Sequence, residues 1–123
     1  MKRSGLSETI EVLFDDYRVL RGTYDHIVSI EMFEAVGYRN YDDYFRACDN
    51  LLKPTGTMLL QTITMNEQRF RAYIRDYDWI QKHIFPGGEL ASLSGILRSL
   101  AEVTNISLYH AEDIGAQYAR TLN

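Results

Sequence analysis

Hydrophobic positions before residue 31 form two short, strand-like runs. Residues 9–14 (TIEVLF) alternate polar with β-branched or apolar side chains and end at an acidic pair, which predicts a strand with an acidic exit loop. Residues 25–30 (DHIVSI) are almost continuously apolar and precede a polar loop over 31–40, as expected for a strand buried in a parallel sheet. The pattern therefore predicts two strands in this part of the chain.

Helical spacing of apolar residues begins at Tyr41 and continues to Leu52, where the run KPTG (53–56) predicts the stop. Residues 57–64 (TMLLQTIT) then predict a second central strand. Strand, loop, helix, turn and strand in this order indicate a βαβ unit, so the predicted class is α/β.

The second half of the chain continues this alternation. Helices are predicted over 67–77 and 92–103, with a turn at 85–88 between them and a late strand at 106–109. In open α/β sheets, ligands bind outside the carboxyl ends of the strands. The loops after Phe14, Ile30 and Thr64 are therefore where functional side chains are expected.

Composition narrows the class of function. The chain has 123 residues, 46% of them hydrophobic and 24% charged, which predicts one soluble globular domain. A net charge of -4 gives no basic footprint for nucleic acid. One cysteine, Cys48, cannot form an intramolecular disulfide, and no apolar run approaches the roughly 20 residues that span a bilayer. A cytoplasmic protein is predicted, with any membrane contact peripheral.

Ionisable residues outside these loops favour no metal site. The three histidines, at positions 26, 83 and 110, lie on different elements without metal-ligand spacing, so no metal is assigned. The acidic pairs at 15–16 and 42–43 are interpreted as a turn and a helix N-terminal cap, not as a carboxylate dyad. Four apolar residues are consistent either with core packing or with an apolar wall or membrane-facing surface. They are Trp79, Ile80, Ile84 and Phe85.

Several motifs together resemble a known family. Residues 25–37 (DHIVSIEMFEAVG) and the run LLKPTG at 51–56 resemble the second half of an S-adenosylmethionine-dependent methyltransferase. The stretches 60–64 (LQTIT), 78–90 (DWIQKHIFPGGEL) and 110–122 (HAEDIGAQYARTL) narrow the resemblance to cyclopropane-fatty-acyl-phospholipid synthases. It covers nearly the whole chain, and the run IFPGG is fairly specific to that family.

The resemblance implies methyl transfer from S-adenosylmethionine to the cis double bond of a phospholipid acyl chain. Proton loss from the resulting carbocation closes a ring, and a bicarbonate ion serves as the base. Glu34 corresponds to the glutamate that orients bicarbonate, Tyr118 to the active-site tyrosine, and Ile63 would lend its backbone N–H. Read alone, Glu34 is a loop carboxylate and Tyr118 a surface or half-buried aromatic residue.

Two positions near this predicted site depart from the family pattern. Ala35 and Gln61 stand where many members have histidine. Gln61 can donate a hydrogen bond but cannot carry a proton at neutral pH, and its alternative role is to hydrogen-bond backbone. Glutamine here resembles a branch that includes enzymes which methylate without closing a ring, so ring, methylene and methyl-branched products all stay open.

The cofactor side of the resemblance is incomplete. A glycine-rich loop after a first strand and an acidic residue after a second normally hold the cofactor, and this sequence shows neither. Residues 1–5 resemble the helix before the family's third strand. Asp16 and Tyr17 match the loop beside the adenine, and Ile30 and Glu31 match a strand end of the cofactor shell.

The resulting expectation is a single truncated domain over 1–123. It has a partial Rossmann-like methyltransferase fold that lacks the first two strands and their cofactor loop. In the family's strand order these two strands lie between 9–14 and 25–30, so an unpaired gap is expected. Two hypotheses follow: a lipid-modifying enzyme completed by a missing N-terminal half or a second copy, or a catalytically silent fragment or interaction module. The isolated chain is expected to be inactive.

Overall fold

The computed structural model describes residues 8–75, 82–83 and 86–121, and a βαβ unit lies at its centre. Strand β1 (Tyr24–Ile30) leads through helix α1 (Tyr41–Leu51) to strand β2 (Leu52–Gln61). The two strands pair in parallel, with Val28 opposite Leu59. This arrangement confirms the predicted βαβ unit and the α/β class.

A second, smaller parallel pair follows. Strand β3 (Thr64–Met65) pairs with strand β4 (Ala91–Ser92), and helix α2 (Glu67–Tyr73) begins soon after β3. Helix α3 (Leu93–Val103) follows β4 directly, and helix α4 (Gly115–Thr121) closes the described chain. The predicted helix over 92–103 is confirmed.

Helix α3 begins directly after Ser92 because the side chain of Ser92 caps it. The Ser92 hydroxyl accepts a hydrogen bond from the Gly95 N–H at 3.1 Å, which satisfies a donor that the helix leaves free. The Glu67 carboxylate accepts from the hydroxyl and the N–H of Ser94 in the same turn. Helix α2 is thereby tied to the start of α3. The predicted helix over 67–77 is confirmed as far as Tyr73; residues 76–81 and 84–85 lie outside the described residues.

The run KPTG does not end the α1 helix in a separate turn, as predicted, but lies inside β2. Tyr24 pairs with Leu52 and His26 with Thr57, so β2 carries extra residues at this point and bulges. A Cβ atom on Gly56 would lie 2.8 Å from the Asp25 carbonyl oxygen. The turn-forming residues therefore let the two strands approach closely where the ladder shifts register.

Three strand predictions are wrong in whole or in part. Residues 9–14 and 106–109 form no regular strand, and the strand predicted over 57–64 ends at Gln61, while Thr64 begins β3 in the separate second pair. A strand is stable only when another strand satisfies its backbone groups, and no described strand pairs with either segment. Apolar alternation therefore predicted a strand where pairing is lacking; the Phe14 side chain is 97% exposed.

Strand β1 is buried on one face, not on both as its apolar run predicted. Ser29 is buried and Ile27 packs against the core, whereas Val28 is 63% and Ile30 57% exposed. Alternate side chains of a strand point to opposite faces, and the core cluster, which includes residues of α1, packs against Ile27 of β1 and against Met58 and Leu60 of β2. The opposite face of this sheet is open in the described structure.

An aromatic cluster forms the core. The Phe33 side chain is fully buried, and its ring centroid lies 4.5 Å from that of Tyr41, 5.0 Å from that of Tyr44 and 5.4 Å from that of Phe45. These tilted and edge-on contacts suit the ring quadrupoles. The buried cluster comprises Phe33, Val36, Tyr41, Tyr44, Phe45, Cys48, Ala91 and Ile96. It fastens the loop after β1 to α1.

The acidic pair at 42–43 lies in the first turn of α1, two and three residues after the cap position that was predicted for it. Asn40 is the N-cap residue. Asp42 accepts a hydrogen bond from the Ser99 hydroxyl and lies 3.7 Å from the Arg98 guanidinium, both on α3. The pair therefore contributes favourable charge at the helix start, and Asp42 also joins α1 to α3.

Three groups that lose a proton only at alkaline pH, one thiol and two phenol hydroxyls, are buried in this core. The free energy of unfolding is therefore expected to fall at alkaline pH. Burial raises the pKa of the Cys48 thiol to about 11 and also raises the pKa of the Tyr41 and Tyr44 hydroxyls. These groups are neutral when protonated, so their contribution is complete below the pKa of the unfolded chain, near 8.5 for cysteine. It is lost as the pH rises towards the folded values.

We therefore expect the free energy of unfolding to fall between about pH 8.5 and pH 10, by up to about 1.4 kcal/mol per pH unit from Cys48 alone. Urea denaturation at a series of pH values measures it. Cys48→Ala removes the thiol and should flatten this part of the profile, leaving the tyrosine contribution above about pH 10. Parallel profiles for the two proteins below that pH would contradict the assignment.

Candidate active site at the ends of the parallel strands

The carboxyl ends of β1 and β2 meet, as parallel pairing requires. The Glu31 N–H donates to the Gln61 carbonyl oxygen at 2.9 Å, so both residues lie at the same edge of the sheet. Glu31 has a φ of 50°, in the left-handed region that residues other than glycine rarely adopt. Such strain is concentrated at functional sites, and here it turns the chain out of β1 towards the loop.

Glu34 is fixed from two sides at this edge. One carboxylate oxygen, Oε1, accepts from the Thr62 hydroxyl at 2.7 Å and from the Ile63 N–H at 2.6 Å. The other, Oε2, is buried and has no hydrogen-bond partner among the described residues. A buried acceptor without a donor is energetically costly, so a hydrogen-bond donor placed beside Oε2 would stabilise the site.

The backbone around Glu34 is anchored by its neighbours. Glu34 lies in a short 3-10 helix, Phe33–Ala35, whose first residue is the centre of the aromatic core. The Glu34 carbonyl oxygen accepts from the Glu89 N–H at 2.8 Å, and Glu89 Oε2 accepts from the Tyr38 N–H at 2.9 Å. The segment around Glu89 thereby holds the loop in place.

Gln61 joins two further side chains. Its amide Nε2 lies 3.2 Å from Glu31 Oε1 and 3.3 Å from the Tyr118 hydroxyl oxygen, and it donates to both. Tyr118 belongs to α4, whose first N–H, at Gly115, donates to Asp113 at 2.8 Å. A strand end and a distant helix are therefore connected through one amide group.

The four residues predicted as catalytic, Glu34, Gln61, Ile63 and Tyr118, all lie at this edge. The Ile63 N–H, which the resemblance assigned to bicarbonate, donates here to Glu34 and orients its carboxylate. Thr62 was not singled out from the sequence, although its position directly after Gln61 at a strand end was a usable signal. Glu31, predicted on the cofactor side, contacts the same group through Gln61.

The residues predicted to contact the cofactor fall in two places. Ile30 and Glu31 lie at the site edge. Asp16 instead caps the short helix Tyr17–Val19 and forms a 2.6 Å ion pair with Arg18. Hydrogen bonding to Arg18 lowers the Asp16 pKa to about 2. Tyr17 packs edge-on against Tyr44, with ring centroids 5.3 Å apart.

Three further sequence expectations concern an apolar segment, membrane-spanning helices and metal ligands. The apolar residues Trp79, Ile80, Ile84 and Phe85 lie outside the described residues, so their role as core or acyl wall stays a prediction. Within the described ranges, no helix combines the length and the apolar character that crossing a membrane requires. The same ranges hold no group of three potential metal ligands.

Comparison with known proteins identifies the family. The family described as mycolic acid cyclopropane synthetase matches residues 1–123. Tuberculostearic acid methyltransferase UfaA1 of Mycobacterium tuberculosis is 40% identical over 119 residues, which are 97% of this chain and 28% of that protein. The cyclopropane-fatty-acyl-phospholipid synthase of Escherichia coli K12 is 40% identical over 113 residues, 92% of this chain and 28% of that protein.

Solved structures agree with this assignment. Mycolic acid cyclopropane synthase CmaA1, in complex with SAH and CTAB, superposes with a TM-score of 0.75 at 28% identity, over 89% of this chain and 41% of its own. The cyclopropane synthase MmaA2 of Mycobacterium tuberculosis shares the fold, with a TM-score of 0.74 at 23% identity, over 94% and 45% of the two chains.

The fold and the geometry of the site define the class of protein, an α/β domain with a polar site at the carboxyl ends of its strands. The chain belongs to the cyclopropane synthase family of S-adenosylmethionine-dependent methyltransferases, as its motifs predicted. It spans a little over a quarter of the length of the curated relatives it matches.

Replacing Thr62 tests how the carboxylate of Glu34 is held. Thr62→Val keeps the shape of the side chain but removes the donor to Glu34 Oε1, and we expect it to lower the free energy of unfolding by about 1–3 kcal/mol. Thr64→Val, at an exposed position two residues on, is the matched control and should change it by less than about 0.5 kcal/mol. Equal urea denaturation midpoints for the two variants would contradict the geometry.

Proposed function

We propose that the chain forms the acceptor side of an S-adenosylmethionine-dependent lipid methyltransferase, the part that takes the acyl double bond and removes a proton after methyl transfer. The observation that supports this most is the carboxylate of Glu34, fixed through Oε1 and left with a buried, unpartnered Oε2. A fixed carboxylate at the end of two parallel strands suits the stabilisation of a developing cation.

The residues present fit a bicarbonate ion. Glu34 Oε2 lacks a donor, and bicarbonate has one O–H to donate and oxygens left to accept from neighbouring donors. Glu34 would hold that O–H, with the Tyr118 hydroxyl nearby through Gln61. When bound, such an ion supplies a base beside the positive charge. Glu34 itself orients and adds negative charge, while Thr62 and Ile63 keep its carboxylate from turning.

Gln61 connects Glu31 and Tyr118 through hydrogen bonds and does not act as an acid or a base. Its amide cannot titrate near neutral pH, so its contribution is to orient Tyr118 and Glu31. This chemistry is compatible with a cyclopropane ring, a methylene or a methyl branch. Two relatives that are each 40% identical carry different product names, a cyclopropane-fatty-acyl-phospholipid synthase and a tuberculostearic acid methyltransferase, so identity favours neither product.

The proposed substrate is the acyl chain of a phospholipid, reached from the cytoplasmic face of a membrane. Support comes from the name of the E. coli relative and from the acidic net charge, which disfavours nucleic acid. Such a lipid would be approached peripherally.

A catalytically silent interaction module is the second candidate. It is favoured by the ion pair between Asp16 and Arg18, which engages a carboxylate predicted to lie beside the adenine. In that case the polar site would persist without cofactor chemistry. The two candidates differ in whether Glu34 affects turnover once the cofactor-binding elements are supplied.

The decisive experiment replaces the 113 matched residues of the E. coli synthase with this chain. The chimera is expressed in cells that lack their own synthase, and phospholipid acyl chains are analysed by mass spectrometry. We expect modified acyl chains, and their structure identifies the product. Glu34→Gln should reduce their formation by about 100-fold or more, because the buried Oε2 becomes an amide donor.

Glu112→Gln provides the control, since Glu112 is an exposed carboxylate that lies 3.8 Å from His110 Nε2. It should leave product formation within about twofold of the parent chimera. A chimera that is folded and binds S-adenosylmethionine but forms no product would contradict the proposed function. Full activity of the Glu34→Gln chimera would show that Glu34 takes no part in the reaction.

Affinity for S-adenosylmethionine gives a separate prediction for the chain by itself. Asp16 is paired with Arg18, and the glycine-rich loop expected of this class is absent from the sequence, so we expect no measurable heat on titration in a calorimeter. A dissociation constant in the micromolar range, about -8 kcal/mol, would show that the chain builds a cofactor site unaided.

A further inference from the structure

Residues 89–91, which include the start of β4, connect the two ends of Glu34. The Glu89 N–H donates to the backbone carbonyl oxygen of Glu34 at 2.8 Å. The Ala91 N–H donates to the Ile63 carbonyl oxygen at 3.1 Å, and the Ile63 N–H in turn donates to Glu34 Oε1 at 2.6 Å. A closed ring of hydrogen bonds and covalent links therefore joins the backbone of Glu34 to its own carboxylate.

The Glu89 side chain adds a second contact to the loop that carries Glu34. Glu89 Oε2 accepts from the Tyr38 N–H at 2.9 Å, in a half-buried position. Glu89 therefore holds this loop at Glu34 through its backbone and at Tyr38 through its carboxylate. Because a carboxylate oxygen is a stronger acceptor than a neutral one, the second contact contributes to keeping the loop in place.

The backbone at Gly37 suits this contact. Gly37 has a φ of 77°, in the left-handed region that glycine adopts readily, and the N–H that follows it is the Tyr38 donor. A Cβ atom at Gly37 would lie 3.4 Å from Glu89 Oε2, so the carboxylate packs closely against this glycine. Backbone conformation and close packing at Gly37 therefore both favour the position of the Glu89 carboxylate.

Residues 89–91 are themselves held by the rest of the fold. The Leu90 N–H donates to the hydroxyl of Tyr73, at the end of α2, at 3.0 Å. The Ala91 side chain is fully buried, and Ala91 belongs to the β3–β4 ladder. The segment therefore provides a fixed support for the loop.

We propose that Glu89 is a positioning residue: its carboxylate, through the Tyr38 N–H, keeps the carboxylate of Glu34 in the orientation that the reaction requires. The catalytic consequence rests on the proposed function, whereas the orientation of Glu34 is a property of the chain by itself. A displacement of about 1 Å at a reacting group can cost about 100-fold in rate, so loss of this contact is expected to affect turnover. The sequence motifs assigned Glu89 no role.

NMR of the chain by itself tests the orientation without a catalytic readout. The Ile63 amide proton should resonate downfield because of its short hydrogen bond to Glu34 Oε1, and Glu34→Ala, which removes the acceptor, gives the full upfield shift. We expect Glu89→Ala to produce at least about half of that shift. Glu89→Gln keeps an oxygen that can accept from the Tyr38 N–H, and should produce less than about one fifth of it.

Two controls separate the orientation of Glu34 from a general loosening of the structure. The Gly115 N–H also donates to a carboxylate, that of Asp113 at 2.8 Å, and its chemical shift should not change in any Glu89 variant. Glu89→Asp is a further variant that keeps the charge but is shorter by one methylene group. It should shift the Ile63 amide proton in the same direction as Glu89→Ala.

Kinetics of the purified chimera with the E. coli synthase measure the catalytic consequence. With kcat expressed per bound S-adenosylmethionine, so that unfolded protein does not count, Glu89→Ala should lower kcat by about tenfold or more and leave KM for S-adenosylmethionine within about twofold. Glu89→Gln should restore kcat to within about threefold of the parent. Glu102→Ala, which loses a 2.8 Å contact to Arg98 on α3, is the matched control and should change neither value by more than about twofold.

Three results would overturn the inference: an Ile63 shift in Glu89→Ala no larger than that of Gly115, equal Ile63 shifts in Glu89→Ala and Glu89→Gln, or an active chimera that keeps the parent kcat when Glu89 is replaced by alanine. Failure of the proposed function would look different. The parent chimera would then form no product, while the Ile63 shift would still respond to Glu89→Ala.

Discussion

Parallel pairing of β1 with β2 is the constraint on which the site depends. It brings the ends of two strands, separated by a loop and a helix in the chain, to one edge of the sheet, so that Glu31 contacts Gln61. Antiparallel pairing would place these ends on opposite sides. The contacts between these two ends follow from this geometry: Glu34, in the loop after β1, reaches Thr62 and Ile63, which follow β2.

Aromatic packing converts that constraint into a defined position for one carboxylate. Phe33 is buried among the rings of α1, and Glu34 is the next residue. A residue in a loop would ordinarily be mobile, but one that follows a fully buried anchor has little freedom. The Glu89 N–H adds a backbone hydrogen bond to the same residue. The core therefore fixes the position of this carboxylate through a single peptide unit.

Local sequence signals correctly predicted helices α1 and α3, because a helix forms its backbone hydrogen bonds within itself. Helix α3 begins directly after Ser92 because a cap and an apolar period agree, and α1 follows the spacing of its buried aromatic residues. Residues 9–14 carry an equally clear strand pattern but form no ladder with any described strand, since a helix satisfies its own backbone whereas a strand needs a neighbouring strand. The same reasoning explains why the run KPTG does not form a separate turn. Because β1 pairs alongside it, these residues lie in β2 and form a bulge.

The sequence by itself determined the family, the βαβ unit and the identity of Glu34, Gln61, Ile63 and Tyr118 as one group, because motifs and periodicity are local properties of the chain. Only the tertiary structure decided that Thr62 and Ile63 both bind one oxygen of Glu34 and leave the other buried without a partner. It also decided that Gln61 joins Glu31 to Tyr118, and that one face of β1 is open. Those facts depend on distances between residues far apart in the chain, which no local pattern encodes.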